Sequence, residues 1–283
     1  MPIRAPKRKR LTSAILILFV NLVLLSTASA ATLTGPVTWG SPDQAWGMRR
    51  PVTAADRTLI TAYRSGRSHP ILSTKFTSAT EFEADWVSVS DDNSSLKACR
   101  RPDSVTISPV GLRLSILAAN DCRAARWSTG YIASKVKYGY GFFEARMKIA
   151  DIKGLDNAFW LTTDDHFEID ATETFYPSYM HLALQDWPTD KGTKHAEVGW
   201  GVNWMENMSQ GFHDVGLLWT PTQIIYEVDG EPIAAVVTHG AVKGPATIRL
   251  STALADWAGG KVPEHPEGHG MVVQSLKVLA LAQ

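Results

Sequence analysis

The sequence predicts an all-β protein, a sandwich or jelly roll of many short antiparallel strands. Apolar and polar residues alternate: Phe143, Ala145, Met147 and Ile149 are interleaved with Glu144, Arg146 and Lys148, and Ile248, Leu250, Thr252 and Leu254 repeat the pattern. A period of two turns one strand face to a core and the other to solvent. Residues 224–228 run into Asp229-Gly230 and then residues 233–237, a hairpin with a favoured turn pair. Similar runs cover residues 105–107, 112–117, 131–136, 158–163, 167–174, 180–187, 213–219 and 272–279. Short strands at close spacing, with little helix between them, are the mark of sheet-on-sheet architectures.

The elements follow in order. Arg4, Lys7, Arg8, Lys9 and Arg10 precede an uncharged stretch over residues 11–25, and Ala28-Ser29-Ala30 supplies small residues for cleavage. Residues 1–30 are therefore expected to be a secretory signal peptide. The apolar run is short for a membrane span of about 20 residues. The mature protein is expected to be secreted, extracellular or periplasmic, and free of the membrane. Residues 31–70 form an N-terminal extension and residues 71–283 one domain. In the extension, Thr53 with Asp56 three residues on resembles a capping box, and Gly66 suits a helix stop. One short helix is expected over residues 54–64, packed outside the main sheets.

Composition narrows the function. The chain has 28 basic and 28 acidic side chains. The five basic residues of the leader leave with it, so the mature protein carries a net charge of −5. An acidic surface is poorly suited to nucleic acid or to highly sulfated polymers. The two cysteines, Cys99 and Cys122, are expected to form one disulfide in an exported protein. Without a third cysteine or clustered histidines, the sequence suggests no zinc or iron site, and no cofactor is expected.

The central feature is Glu168-Ile169-Asp170-Ala171-Thr172-Glu173. Simple alternation puts Glu168 and Asp170 on one face and turns Glu173 away. A single-residue β-bulge would bring Glu173 back to the face of the other two. Three acids crowded on one face repel each other unless a site uses them. A pair of carboxylates about 5–5.5 Å apart is what retaining glycoside cleavage requires: one attacks the anomeric carbon, the other protonates the leaving oxygen. Burial and neighbouring charge hold the second one protonated.

The surroundings of that strand resemble glycoside hydrolase family 16, the laminarinase, lichenase, agarase and carrageenase group. Residues 138–148 (YGYGFFEARMK) look like its strand leading to the catalytic one, and residues 157–161 (NAFWL) like its apolar strand with a cleft tryptophan. Residues 212–221 (FHDVGLLWTP) and 226–230 (YEVDG) are similar to its outer strand and hairpin. The resemblance runs from about residue 71 to residue 279. It implies a β-jelly roll of two curved antiparallel sheets with a concave substrate cleft. It gives Glu168 the nucleophile role, Asp170 that of assisting acid, and Glu173 that of acid/base.

If residues 176–179 turn the chain, residues 180–187 return beside the acids, with His181, Gln185 and Trp187 on their face. Trp160, His181, Gln185, Trp187 and Trp257 are the expected substrate contacts, since sugar rings stack on aromatic faces. Trp200 and Trp204 read as loop residues. The family's last strand usually offers an aspartate to a structural calcium; here residues 274–277 read QSLK, so no calcium is expected. Laminarinases also carry a Trp-Pro pair and a glycine before the catalytic glutamate, where this chain has Thr162-Thr163-Asp164-Asp165-His166-Phe167. The expectation is a monomeric, secreted, retaining endo-hydrolase of β-linked polysaccharide, a neutral 1,3 or mixed 1,3-1,4 glucan first. A galactan hydrolase of the agar or carrageenan type, a transglycosylase and a non-catalytic glycan-binding protein remain open.

Overall fold

The period-two segments fold as strands, and their apolar faces meet. The computed structural model describes Met1 and residues 34–37, 42–66, 69–123, 125–190, 192–204 and 206–281. The leader expected over residues 1–30 therefore lies, Met1 apart, outside the described residues. The front sheet has eight antiparallel strands. Their order is Thr34–Val37, Ala196–Asn203, Tyr179–Asp186, Phe167–Phe175, Leu155–Thr163, Ala246–Leu254, Tyr131–Tyr138 and Trp86–Ser88. The back sheet runs Met48–Arg50, Glu231–Val237, Gln223–Val228, His213–Trp219, Gly141–Lys148, Gly270–Ala280, Gly111–Ser115 and Val105–Ser108, and Pro70–Thr74 also pairs with Gly270–Ala280. A small third sheet joins Ala98–Arg100, Trp127–Thr129 and Leu117–Ala118. The strands belong to one unit spanning Thr32–Gln283. This is the all-β sandwich that the alternation predicts.

Phe143, Met147, Trp219 and Tyr226 from the back sheet meet Phe159, Ile169, Leu182 and Leu250 from the front, all fully buried. Burying each such side chain contributes about 1.5–3 kcal/mol, so the apolar layer rather than ion pairing holds the sheets together. The Tyr226 hydroxyl crosses that layer and donates to the Ala183 carbonyl at 2.8 Å, which satisfies its buried polar end. The residues between these inward positions point outward, as Glu144 and Arg146 do between Phe143 and Met147.

The N-terminal extension is woven into both sheets. Thr34–Val37 pairs with Ala196–Asn203, and Met48–Arg50 pairs with Glu231–Val237. The helix forms over Ala54–Arg64 with the reciprocal Thr53–Asp56 capping box. Ile60 and Tyr63 cover Phe142, Leu218, Ile225 and Leu279 on the outer face of the back sheet. At the helix end, Arg64 reaches Asp214 at 2.8 Å, Glu144 at 2.9 Å and Glu227 at 3.3 Å. Burial and then the facing Glu144 push the Glu227 carboxyl up to about 8, against the pull of Arg64.

One reading needs correction. Trp200 is no loop residue: it lies in the Ala196–Asn203 strand and is buried against the core. The pair Gly199 and Gly201 masks that strand in the sequence. At Gly199 a side chain would come within 2.6 Å of the Leu182 carbonyl, so close strand approach accounts for the glycine. Trp204, just past the strand, is buried in the same core.

Candidate active site

The Phe167–Phe175 strand carries the bulge. Trp160 lies opposite Asp170 and Phe159 opposite Thr172, which leaves Ala171 as the extra residue. On the other side Asp170 faces Ala183 and Glu173 faces His181. Ala171 and Thr172 both turn to the interior, where they are fully buried. Glu173 thereby joins Glu168 and Asp170 on the outward face of the front sheet. Without the insertion its carboxylate would enter the apolar core.

A cleft of about 530 Å³ opens over this face, lined among others by Glu168, Glu173, His181, Gln185, Trp187 and Trp257. Asp170 sits beneath it in a smaller hollow with Asp156, Trp160 and Arg100. The Gln185 amide nitrogen donates to Glu168 Oε1 at 2.9 Å and to Asp170 Oδ2 at 2.6 Å. Its oxygen meets His195 Nε2 at 2.7 Å, and the His195 ring stacks on Trp187 with centroids 3.9 Å apart. His181 Nδ1 contacts Glu173, and its Nε2 lies 3.6 Å from Glu197. The three acids are thus each oriented by a partner on the Tyr179–Asp186 strand or by each other.

Electrostatics follow from burial and crowding. Burial, then the facing Glu173, push the Glu168 carboxyl up to about 7, while a hydrogen bond from Trp187 acts the other way. Burial and the charges of Glu168 and Glu173 hold Asp170 well above the usual carboxylate range. Burial and Glu173 do the same to Asp156, with Arg100 opposing. Burial raises Glu197 and lowers His195, so His195 favours its neutral form. Neutral His195 with its proton on Nε2 can donate to the Gln185 oxygen, which fixes the amide with its nitrogen toward the acids. A site of this kind can deliver a proton from one carboxyl while another attacks from the opposite side.

Residues 82–272 match the family model for glycosyl hydrolases family 16. The chain belongs to this family. An endo-1,3-1,4-beta-glycanase, ExoK of Rhizobium meliloti, is 29% identical over 145 residues, 47% of this chain and 51% of that protein. Xyloglucan endotransglucosylase/hydrolase protein 2 of Arabidopsis thaliana is 33% identical over 127 residues, 42% of this chain and 43% of that protein. The chain spans about half the length of these curated relatives. Among solved structures, the laminarinase catalytic domain from Thermotoga maritima superposes with a TM-score of 0.66 at 15% identity, over 76% of this chain and 99% of that one. That likeness places the fold among jelly rolls.

Within this family 16 chain, the structure brings Glu168, Asp170, Glu173, His181 and Gln185 together as the sequence predicts. Trp187 and Trp257 stand about half exposed on the cleft wall, at 49% and 53%. Trp160 lies deeper, its indole nitrogen donating to Ser251 at 3.0 Å and its ring stacked on Tyr131 with Arg249 above it. Cys99 and Cys122 are joined in a disulfide with Cα atoms 5.6 Å apart. Sequence reasoning missed Asp156, Arg100, His195, Glu197 and Arg249. Asp156 shares the period of Ala158 and Trp160, so its face was readable; the others reach the site from separate strands and loops. At the family's calcium position, Gln274 Oε1 accepts from Arg146 Nε at 3.0 Å. A neutral amide already bonded to a guanidinium does not fit a hard divalent cation.

Proposed function

We propose that this chain is a retaining endo-glycoside hydrolase of β-linked polysaccharide, with a neutral 1,3 or mixed 1,3-1,4 glucan as substrate. The observation that carries it is the bulge that sets Glu168, Asp170 and Glu173 on one face beneath two exposed tryptophans. A purely glycan-binding surface has no need of buried, mutually repelling carboxyls. The name of the R. meliloti relative supports the linkage class, and the net charge of −5 expected of residues 31–283 once the leader is removed suits an uncharged chain.

In the first step Glu168 attacks the anomeric carbon, the glycosidic bond breaks, and Glu173 gives its proton to the leaving oxygen. The glycosyl ester on Glu168 then meets water. Glu173 takes a proton from that water, the new C–O bond forms, and Glu168 leaves as carboxylate. Two inversions retain configuration. Asp170, held neutral by burial, can donate to Glu168 and steady its charge as the ester breaks. Because Glu168 must be ionised to attack, activity should fall as pH drops through about 7.

The test is a panel of laminarin, lichenan, xyloglucan, agarose and carrageenan with product sizing, run on wild type, Glu168→Gln and Glu173→Gln. Each variant is expected to lose at least about a thousandfold in kcat/KM, the scale of removing a group that acts only in the transition state. Azide added to Glu173→Ala should give a β-glycosyl azide, because the nucleophile remains. Full hydrolysis by either Gln variant would remove the assignment, an α-azide would exchange the two roles, and lengthened products would mark a transglycosylase.

A further inference from the structure

We infer that Asp156 is a positioning residue for Glu173, the two carboxyls sharing one proton and one hydrogen bond so that the pair acts as a single acid. The inference rests on the proposed role of Glu173. Its starting point is strand geometry. Asp156, Ala158 and Trp160 lie on the same face of Leu155–Thr163, and Ala158 is directly opposite Glu173. Asp156 is therefore the diagonal neighbour of Glu173, a spacing that long side chains bridge. The two side chains line the same cleft and the hollow beneath it, close enough for their charges to act on each other.

The surroundings say which form Asp156 takes. It is 3% exposed, and its Oδ1 is buried without a hydrogen-bond partner among the described residues. An ionised carboxylate would have an unsolvated oxygen there, whereas a carboxylic acid needs only one partner for its O–H. Arg100, whose charge opposes the upward push on Asp156, bonds Asp91 through one guanidinium nitrogen at 2.9 Å and has no hydrogen bond to Asp156. The adjacent Asn157 shows the contrast, since its amide bonds the backbone of Ala150, Leu155 and Thr174 and has a structural role. The charged groups around the pair are Glu168 and Asp170 on its own strand, His181 and Glu197 on the next two, and Arg100 from the small sheet.

The proton balance is simple. When Glu173 gives the shared proton to the leaving oxygen, both carboxyls are left ionised. When Glu173 takes a proton from water, the pair holds its single proton again, so none is gained or lost over the cycle. Removing the last proton from the pair would put two negative charges side by side, so it leaves at a higher pH than from one carboxyl alone.

The test is the pH profile of kcat/KM for wild type, Asp156→Asn and Asp156→Glu, on whichever glycan the panel shows is cut. Asp156→Asn should move the basic limb to lower pH by about one unit, and Asp156→Glu should return it toward wild type. Substitution that merely loosened packing would lower the rate without moving the limb. Carbon-13 carboxyl NMR of labelled protein without substrate reads the same coupling: wild type should show two linked titrations where Asp156→Asn shows one. If no glycan is cleaved, the functional reading fails while the NMR still decides the pairing. An unmoved basic limb, or independent carboxyl titrations in wild type should the variants not fold, would overturn the inference.

Discussion

At the scale of the residue, Gln185 has the most committed hydrogen bonds in the site. Its two amide protons serve Glu168 and Asp170, and its oxygen is held by His195. A hydrogen bond to a charged group contributes about 1.5–3 kcal/mol, and replacing the amide removes a donor from Glu168 and from the buried Asp170. Gln185→Leu is therefore expected to lower kcat/KM by about tenfold to a hundredfold. The bond from Gln185 is among the influences that lower Asp170. Its loss should let both acids hold protons to higher pH, so the acidic limb of the profile should move upward. Wild-type kinetics with an unmoved limb would show that the amide is a bystander. His195→Ala, which leaves the amide free to rotate, should give a smaller loss of the same kind.

At the scale of the element, legibility in the sequence followed how local the cause was. The helix over Ala54–Arg64 was readable because its cap is written in Thr53 and Asp56. The bulge was readable because strict alternation would drive Glu173 into an apolar interior. Trp200 was misread because glycines hide a strand whose identity comes from its pairing with Tyr179–Asp186. The short helix Ala79–Asp85, with no buried residue, has no apolar stripe for sequence to display. Arg100, Glu197 and Arg249 reach the acids only through the order of strands in the sheets, which periodicity does not record. The last strand, Gly270–Ala280, gives a second expected outcome. Gln274 there is bonded to Arg146, which in turn lies 3.2 Å from Asp214, so the carboxylate and amide oxygens of this patch already serve a cation. Millimolar calcium should leave the melting temperature unchanged, since a ligand stabilises only by binding the native state. A rise of several degrees, reversed by chelator, would place a calcium site on residues other than these.

At the scale of the whole molecule, raised carboxyls on both faces of the sandwich set how stability varies with pH. Glu168 is pushed up to about 7 and Glu227 to about 8, and Asp156 and Asp170 are raised as well. A carboxyl whose folded value exceeds its unfolded value binds more protons when folded, so its contribution is full below the unfolded value and is lost as pH climbs to the folded one. The window runs from about 4.5, the ordinary glutamate value, to about 8. Asp56 has the opposite sign: Arg50 and the helix cap hold it at about 2, so its contribution is lost only as pH falls below the ordinary aspartate value. Stability should therefore be greatest near pH 4–5 and decline toward pH 8.5. For Glu168 alone the shift corresponds to at most about 3 kcal/mol, which in a domain of this size is about 6–12 °C. Scanning calorimetry of wild type and Glu168→Gln at pH 5 and pH 8.5 measures it. Wild type should melt lower at pH 8.5, and Glu168→Gln should lose part of that difference by melting higher than wild type at the alkaline pH. A wild-type melt that rises with pH, or a variant whose two melts track wild type, would mean that the acid cluster is not what limits stability.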